Sequence, residues 1–224
     1  MGRADRKVSA PMQRRYFALN DLDKQIEKYL DFDNGIFFEA GASDGANQSN
    51  TLYFERYRGW TGVLVEPIPH RFLECRELRG GKSQCFWSAL VPPDWPNPFV
   101  ELKYCDLMTV TLSERTALDT ASHVARGIQF LKQDERPHRI FAPARTISSI
   151  LTEAQVNRID LFSLDIEGFE VAALEGLDLL QFDIRHFCIE CRDVDRVQAA
   201  LGDAYQIVKQ LSVHDYLFAK RGNL

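Results

Sequence analysis

Apolar residues in this chain fall into short unbroken runs, and those runs end on acids. Ile36-Phe37-Phe38 closes on Glu39, Val63-Leu64-Val65 on Glu66, the run through Leu164 on Asp165, and Phe187-Cys188-Ile189 on Glu190. Runs this short, without polar alternation, suit strands buried on both faces, as in the parallel sheet of an α/β domain. Between them apolar residues recur at helical spacing. Phe17, Leu22, Ile26, Tyr29 and Leu30 predict a lead-in helix within 16–32, capped by Asn20 or Asp21. Further helices are expected at Leu52, Tyr53 and Tyr57 with Ser49 or Asn50 as cap, over 70–79, and over 146–156 with Ser148 or Ser149 as cap. Two more follow Gly168, carrying Val171, Leu174, Leu177 and Leu180, and Asp193, carrying Val194, Val197 and Leu201. Cys85 to Leu90 reads as a third strand, Phe99 to Tyr104 as an added one, and Tyr205 to Leu211 with Tyr216 to Ala219 as a closing hairpin.

One stretch breaks this rhythm. After the proline-rich breaker at 92–98, residues 106–145 are polar and locally basic through Arg126, Lys132, Arg136, His138, Arg139 and Arg145. Two readings stand for it: an insertion over the carboxyl ends of the strands that caps a substrate, or a solvated excursion. The organisation expected is a lead-in segment over 1–34 followed by one α/β domain over 35–224.

The first strand opens into Gly41-Ala42-Ser43-Asp44-Gly45, which departs from the G-x-G-x-x-G spacing that brings a helix N-terminus against a pyrophosphate. Glu39 and Asp44 flank the loop, and two carboxylates repel a pyrophosphate but complement a cation such as S-adenosylmethionine (SAM). Open α/β sheets bind ligands at the carboxyl ends of their strands, where Glu39, Glu66, Asp165 and Glu190 fall. An acid ending the second strand suits the paired hydroxyls of a ribose, and Pro67 restrains the turn after it. Ser88 and Ala89 then lie near the adenine.

The totals agree with a globular domain: 224 residues, 45% hydrophobic and 26% charged. A net charge of −5 argues against a surface that tracks nucleic acid. Residues 1–15 lack the apolar core of a secretory signal, and no segment approaches the roughly 18 apolar residues of a membrane span, so a cytoplasmic location is expected. The five cysteines are odd in number and sit inside element-like runs, which favours reduced thiols. Cys188 and Cys191 have C-x-x-C spacing but on a strand would face opposite ways.

Taken together, Phe38 to Gly45, Gln48 to Thr51, Gly59 to Pro67 and Ile159 to Glu170 resemble the signatures of the FkbM family of SAM-dependent methyltransferases. That resemblance implies a Rossmann-like class I methyltransferase fold. Its seven-stranded sheet is mostly parallel with the last strand antiparallel, helices cover both faces, and here the insertion falls between strands 3 and 4. It also implies methyl transfer to an oxygen, often of a sugar, glycan or natural product, with acceptors that vary widely. Carried onto this chain, Glu39, Gly41, Ala42, Asp44, Gly45, Ser49, Asn50, Glu66, Pro67, Ser88 and Ala89 are the expected SAM-binding residues.

Chemistry at the acceptor has two readings. Asp165 or Glu167 serves as base, or Asp165 with Glu190 binds a divalent cation such as Mg that acidifies the hydroxyl. The second is motivated by similarity to metal-dependent sugar methyltransferases. His123, His138, His186 and His214 are alternative bases. Two other classes stay open, an NAD(P)-binding oxidoreductase and a non-catalytic SAM-binding protein. No motif specifies the acceptor or the oligomeric state.

Overall fold

The computed structural model describes residues 15–222, so the basic residues at 1–14 lie outside the description. The α-helices and longer strands run in chain order as α1 (Leu22–Glu27), β1 (Ile36–Ala40), α2 (Leu52–Tyr57), β2 (Thr61–Glu66), α3 (Pro69–Arg79), β3 (Gln84–Trp87), β4 (Phe99–Tyr104) and α4 (Thr120–Gly127). They continue as β5 (His138–Arg145), α5 (Ile147–Ala154), β6 (Leu161–Leu164), α6 (Glu170–Leu174), β7 (His186–Glu190), α7 (Val194–Leu201), β8 (Tyr205–Gln210) and β9 (Asp215–Lys220).

Seven strands form the main sheet in the order β8-β9-β7-β6-β1-β2-β3. Parallel pairing joins β7, β6, β1, β2 and β3, whereas β9 runs antiparallel to both β7 and β8. The expected mostly parallel, seven-stranded sheet with an antiparallel last strand is what forms.

The central strands are apolar throughout because both faces are covered. Phe38, Ala40, Val63, Val65, Phe162 and Phe187 pack with α5, α6 and α7 on one face. Phe37, Leu64, Leu161 and Cys188 pack with α1, α2 and α3 on the other. Cys191 belongs to the first cluster and Cys188 to the second, and all five cysteines are free thiols. Phe38 and Phe162, on neighbouring strands, stack with ring centroids 4.3 Å apart.

Between β3 and β6 the chain builds a second sheet of four strands, with Ala89–Leu90, β5, β4 and Val110–Thr111 as neighbours in that order. Strand β5 was hidden in the sequence by its charges, although its alternation is clear in the structure. Ile140, Ala142 and Ala144 face the small core with Val100 and Leu102, while Arg139 and Phe141 point outward. The third strand also ends sooner than expected: β3 stops at Trp87, and Ala89–Leu90 pairs with β5 instead.

Other boundaries shift. The lead-in helix is only Leu22–Glu27, preceded by a 3-10 turn whose Asn20 and Asp21 take left-handed φ and give no side-chain cap. Thr146, not Ser148 or Ser149, caps α5 by accepting from the Ser149 amide at 3.1 Å. Helix α6 ends at Leu174, so Leu180 is not on it and is fully exposed. Among the described residues no helix is long and apolar enough to cross a membrane.

These positions predict a sharp contrast in stability. Phe162→Ala, at a fully buried site, should cost about 3–5 kcal/mol in urea unfolding. Leu180→Ala should stay within about 0.5 kcal/mol of the parent.

Candidate active site

Because β1, β2, β6 and β7 are parallel, their carboxyl ends meet at one edge, and a cavity of about 370 Å³ opens there. Gly41 begins the loop over this edge with φ +77, and its amide and that of Ala42 donate to the Val65 carbonyl at 3.1 and 3.2 Å. A Cβ at position 41 would lie 2.0 Å from the Asp165 carbonyl oxygen, so any other side chain forces the ends of β1 and β6 apart.

Glu66 lines the cavity with its carboxylate already oriented. The Ser43 amide donates to Oε2 at 2.7 Å and the Ile68 amide to Oε1 at 2.8 Å. Each oxygen keeps a further lone pair for a ligand. Burial pushes the Glu66 pKa up to about 7, against the pull of those amides.

The opposite end of the cavity is acidic. Asp165 follows β6, Glu167 sits two residues on with φ +56, and Glu190 ends β7. Oxygens of Asp165, Glu170 and Glu190 lie within 4.8 Å of one another. Asp165 is reached by solvent through the cavity yet ringed by protein, and burial followed by the Glu190 charge drives its pKa well up. Glu167 is pushed to about 9, chiefly by burial and then by Asp165. Burial also raises Glu190 to about 7, opposed by Arg192, whose Nη2 lies 2.7 Å from Glu190 and 3.6 Å from Glu167.

This donor set does not fit a resident divalent cation well. Arg192 already supplies positive charge at Glu190, and Glu170 Oε1 accepts from the amides of Ile166 and Gly168, both at 3.0 Å. The expectation of a cation at Asp165 and Glu190 gains no support from that arrangement.

Of the expected cofactor residues, Gly41, Glu66, Pro67, Ser88 and Ala89 line the cavity. Glu39, Ala42, Asp44, Gly45, Ser49 and Asn50 do not, and several have structural partners instead. Glu39 is buried behind the loop, accepting from the Asn50 amide at 2.8 Å, Ser49 Oγ at 2.9 Å and Thr51 Oγ1 at 2.5 Å. Asp44 closes its own turn by accepting from the amides of Ala46 and Asn47. The Gly45 carbonyl accepts from Arg79, and Asn50 donates to Ser163.

None of the four candidate histidines, His123, His138, His186 and His214, lines the cavity, and His186, at the amino end of β7, sits with Nδ1 3.2 Å from the Asp160 carbonyl. His123 is fully buried, with Nε2 3.3 Å from Glu167 Oε2, and its pKa is lowered by burial and then by Arg192.

Residues that sequence reasoning did not assign complete the wall: Ser43, Asn47 and Gln48 from the first loop, Arg192, and Asp106 to Thr109 with Phe130 from the irregular segment. Arg192 could have been found, since it lies two residues beyond a strand-end acid. Asp106 to Thr109 carry no periodic signal, and only the fold brings them over the cavity.

Residues 39–218 match the family model for the methyltransferase FkbM domain. No curated protein matches the chain at a significant level.

Glu66 gives a pH test. Its folded pKa, about 7, exceeds its ordinary 4.5, so its protonated form favours folding. That contribution is complete below about pH 4.5 and is lost as pH rises through about 7. Buried His123 and His186, whose pKa values are lowered, act oppositely, so the difference between variants is the clean readout. Without ligand, the Tm of Glu66→Gln should gain on the parent between about pH 5 and about pH 8.

Proposed function

The chain belongs to the FkbM methyltransferase family, and from that premise we propose that it moves a methyl group from SAM to a hydroxyl oxygen of a small-molecule or glycan acceptor. The observation that carries this reading is one cavity with a buried ribose-type acceptor, Glu66, at one end and an excess of carboxylates at the other. Among the described residues Asp165, Glu167 and Glu190 face a single guanidinium, so an occupant with positive charge relieves an imbalance that an anionic one would worsen.

SAM fits these residues and, when bound, supplies a methyl group already activated on a sulfonium. The chain's own part is then to hold, align and deprotonate. Glu66 offers its two remaining lone pairs to the ribose hydroxyls, with Gly41 and Pro67 shaping the backbone beside it. Ser88 and Ala89 contribute to the adenine wall. Asp165 and Glu167 are the candidate bases, and Glu167 has the stronger case. It faces the cavity from a left-handed backbone conformation, its Oε2 lacks a hydrogen bond, and it is held between His123 and Arg192. In the empty cavity its raised pKa keeps it protonated near neutrality. A neighbouring cation shifts it toward the carboxylate that a base requires. No step in this scheme calls for a metal.

An NAD(P)-dependent oxidoreductase is the competing class. Asp44 does not oppose it, since that side chain is spent on its own loop, but the acids at the far end of the cavity do.

Thermal shift separates these readings. S-adenosylhomocysteine (SAH) should raise the Tm by several degrees and NAD should not, and the reverse outcome would refute the assignment. Glu66→Ala should weaken SAH binding about 10- to 100-fold in calorimetry. Glu167→Gln should keep SAH affinity yet lose about 10²- to 10⁴-fold in methyl transfer, measured from radiolabelled SAM against a panel of sugar and natural-product hydroxyls. Binding of SAH without transfer by the parent to any of them would favour a non-catalytic SAM-binding protein.

A further inference from the structure

We propose that the outward face of the second sheet is the floor of a binding groove for a neutral oligosaccharide, separate from the strand-end cavity. The inference does not draw on the SAM reading, and either can fall without the other.

A second cavity, of about 800 Å³, lies on this face, within the range of about 300–1,000 Å³ that small-ligand sites span. It shares no lining residue with the strand-end cavity. Its floor follows from the alternation of β4 and β5. Val100 and Ala142 turn into the small core with no exposed surface, so Phe99, Glu101 and Phe141 turn outward. The antiparallel register sets Glu101 opposite Phe141 and Phe99 opposite Pro143, which makes the two phenyl rings diagonal neighbours. They stay 52% and 56% exposed. Large rings left half bare side by side on a sheet mark an interaction surface.

Two loops wall the groove: residues 94–98, which precede β4, and residues 112–115, which follow the edge strand Val110–Thr111. Asp94 and Arg115 clasp them together, with Nη2 donating to Oδ2 at 2.6 Å and Nη1 to Oδ1 at 3.1 Å. Trp95 is held by its indole N–H, which donates to the Phe99 carbonyl at 3.3 Å, and by an edge contact with Phe169.

The chemistry of the lining selects the occupant. Aromatic faces carry negative charge density and attract the weakly positive C–H face of a pyranose ring. Hydroxyls at the rim of that ring both donate and accept. The groove meets them with carboxylates, which accept, and with the exposed amide of Asn97, which does both. Charge argues against other occupants. Among the described residues that line the groove Arg115 is the only cation, and it is spent on Asp94 and Glu175. A nucleic acid or sulfated glycan therefore finds no free positive charge there. Glu101 is matched by Arg139, whose Nη1 lies 2.8 Å from Oε1, so exposed Glu114 alone is left to hold a basic peptide. A neutral polyhydroxyl chain needs no counter-charge. Glu101 keeps acceptor capacity for it, because Arg139 approaches Oε1 outside hydrogen-bond geometry.

The test is calorimetry on the full chain with maltohexaose, cellohexaose, laminarihexaose and chitohexaose as neutral probes and heparin as the anionic one. At least one neutral probe should bind with a Kd below about 1 mM, and heparin should not bind. Phe99→Ala and Phe141→Ala should each weaken that probe about 10-fold, and the double variant should abolish binding. Both side chains are exposed, so Tm and the response to SAH should stay parental. If the double variant does not fold, Asn97→Ala serves in its place and should weaken the probe about threefold to 10-fold. Failure of every neutral probe to bind overturns the inference, as does tighter binding of heparin or parental affinity in the variants. Self-association in light scattering that the double variant abolishes, with no neutral probe bound, assigns the face to a second copy of this chain and overturns it as well. A parent that binds a neutral probe but not SAH refutes the SAM reading and leaves this inference standing.

Discussion

Everything at the cavity edge of the main sheet hangs on a carboxylate that never touches the cavity. Glu39, the last residue but one of β1, lies in the interior, where an unpaired charge is not tolerated, so its oxygens must be answered by neighbours. They are answered by Ser49, Asn50 and Thr51, which folds the chain after β1 back onto the strand that launched it. Arg79, with no exposed side-chain surface, completes the knot. It lies 3.8 Å from Glu39 and 2.9 Å from Glu55, and donates to the Gly45 carbonyl at 2.8 Å and to Thr51 at 3.0 Å. Four segments are thereby fastened at one point, and the loop from Gly41 to Gln48 is left with little freedom. The open lone pairs of Glu66 owe their aim to that loop, because the Ser43 amide holds one of its oxygens.

The architecture was legible in the sequence because buried parallel strands leave so plain a mark. Apolar runs ending in Glu39, Glu66, Asp165 and Glu190 located four central strands and the edge at which they finish. The site was legible only in part, since a strand-end acid has the same sequence pattern whether it faces a ligand or the interior. Glu66 faces the cavity, whereas Glu39 faces Ser49 and Thr51, and strand periodicity does not distinguish them. What did distinguish them was the chain beyond: two hydroxyls and a backbone amide come back to Glu39, while Glu66 meets only two backbone amides. The segment 106–145 was opaque for another reason. Its strand β5 alternates correctly, but Arg139, Phe141 and Pro143 on the outer face mask the small inward residues, and a small core needs only small side chains.

The cavity is electrically uneven, and that unevenness is built by the sheet. Parallel strands deliver Asp165 and Glu190 side by side, and the turn at Glu167 adds a third acid, held by the compact 165–170 loop whose amides are tied to Glu170. Among the described residues only Arg192 offsets them. Two devices keep this end from flying apart in the empty protein: protons retained on acids whose pKa values burial has raised, and the single guanidinium shared between Glu190 and Glu167. The Glu66 end works differently, with one carboxylate poised by two backbone amides.

Gly168 carries a consequence for how the molecule is made. It has φ +86, and its bare Cα is packed against Leu118, whose Cγ would lie 2.6 Å from any Cβ there; the neighbouring Ala117 amide donates to the Gly168 carbonyl at 2.8 Å. The covering segment is therefore seated on a turn that the ribosome produces later. During translation at about 5–20 residues per second, Leu107, Met108 and Phe130 emerge with no floor beneath them until β6 and its turn have followed. For those seconds the nascent chain displays apolar surface that the finished protein covers only in part, Phe130 staying 42% exposed even then, and this interval is where a chaperone would find it.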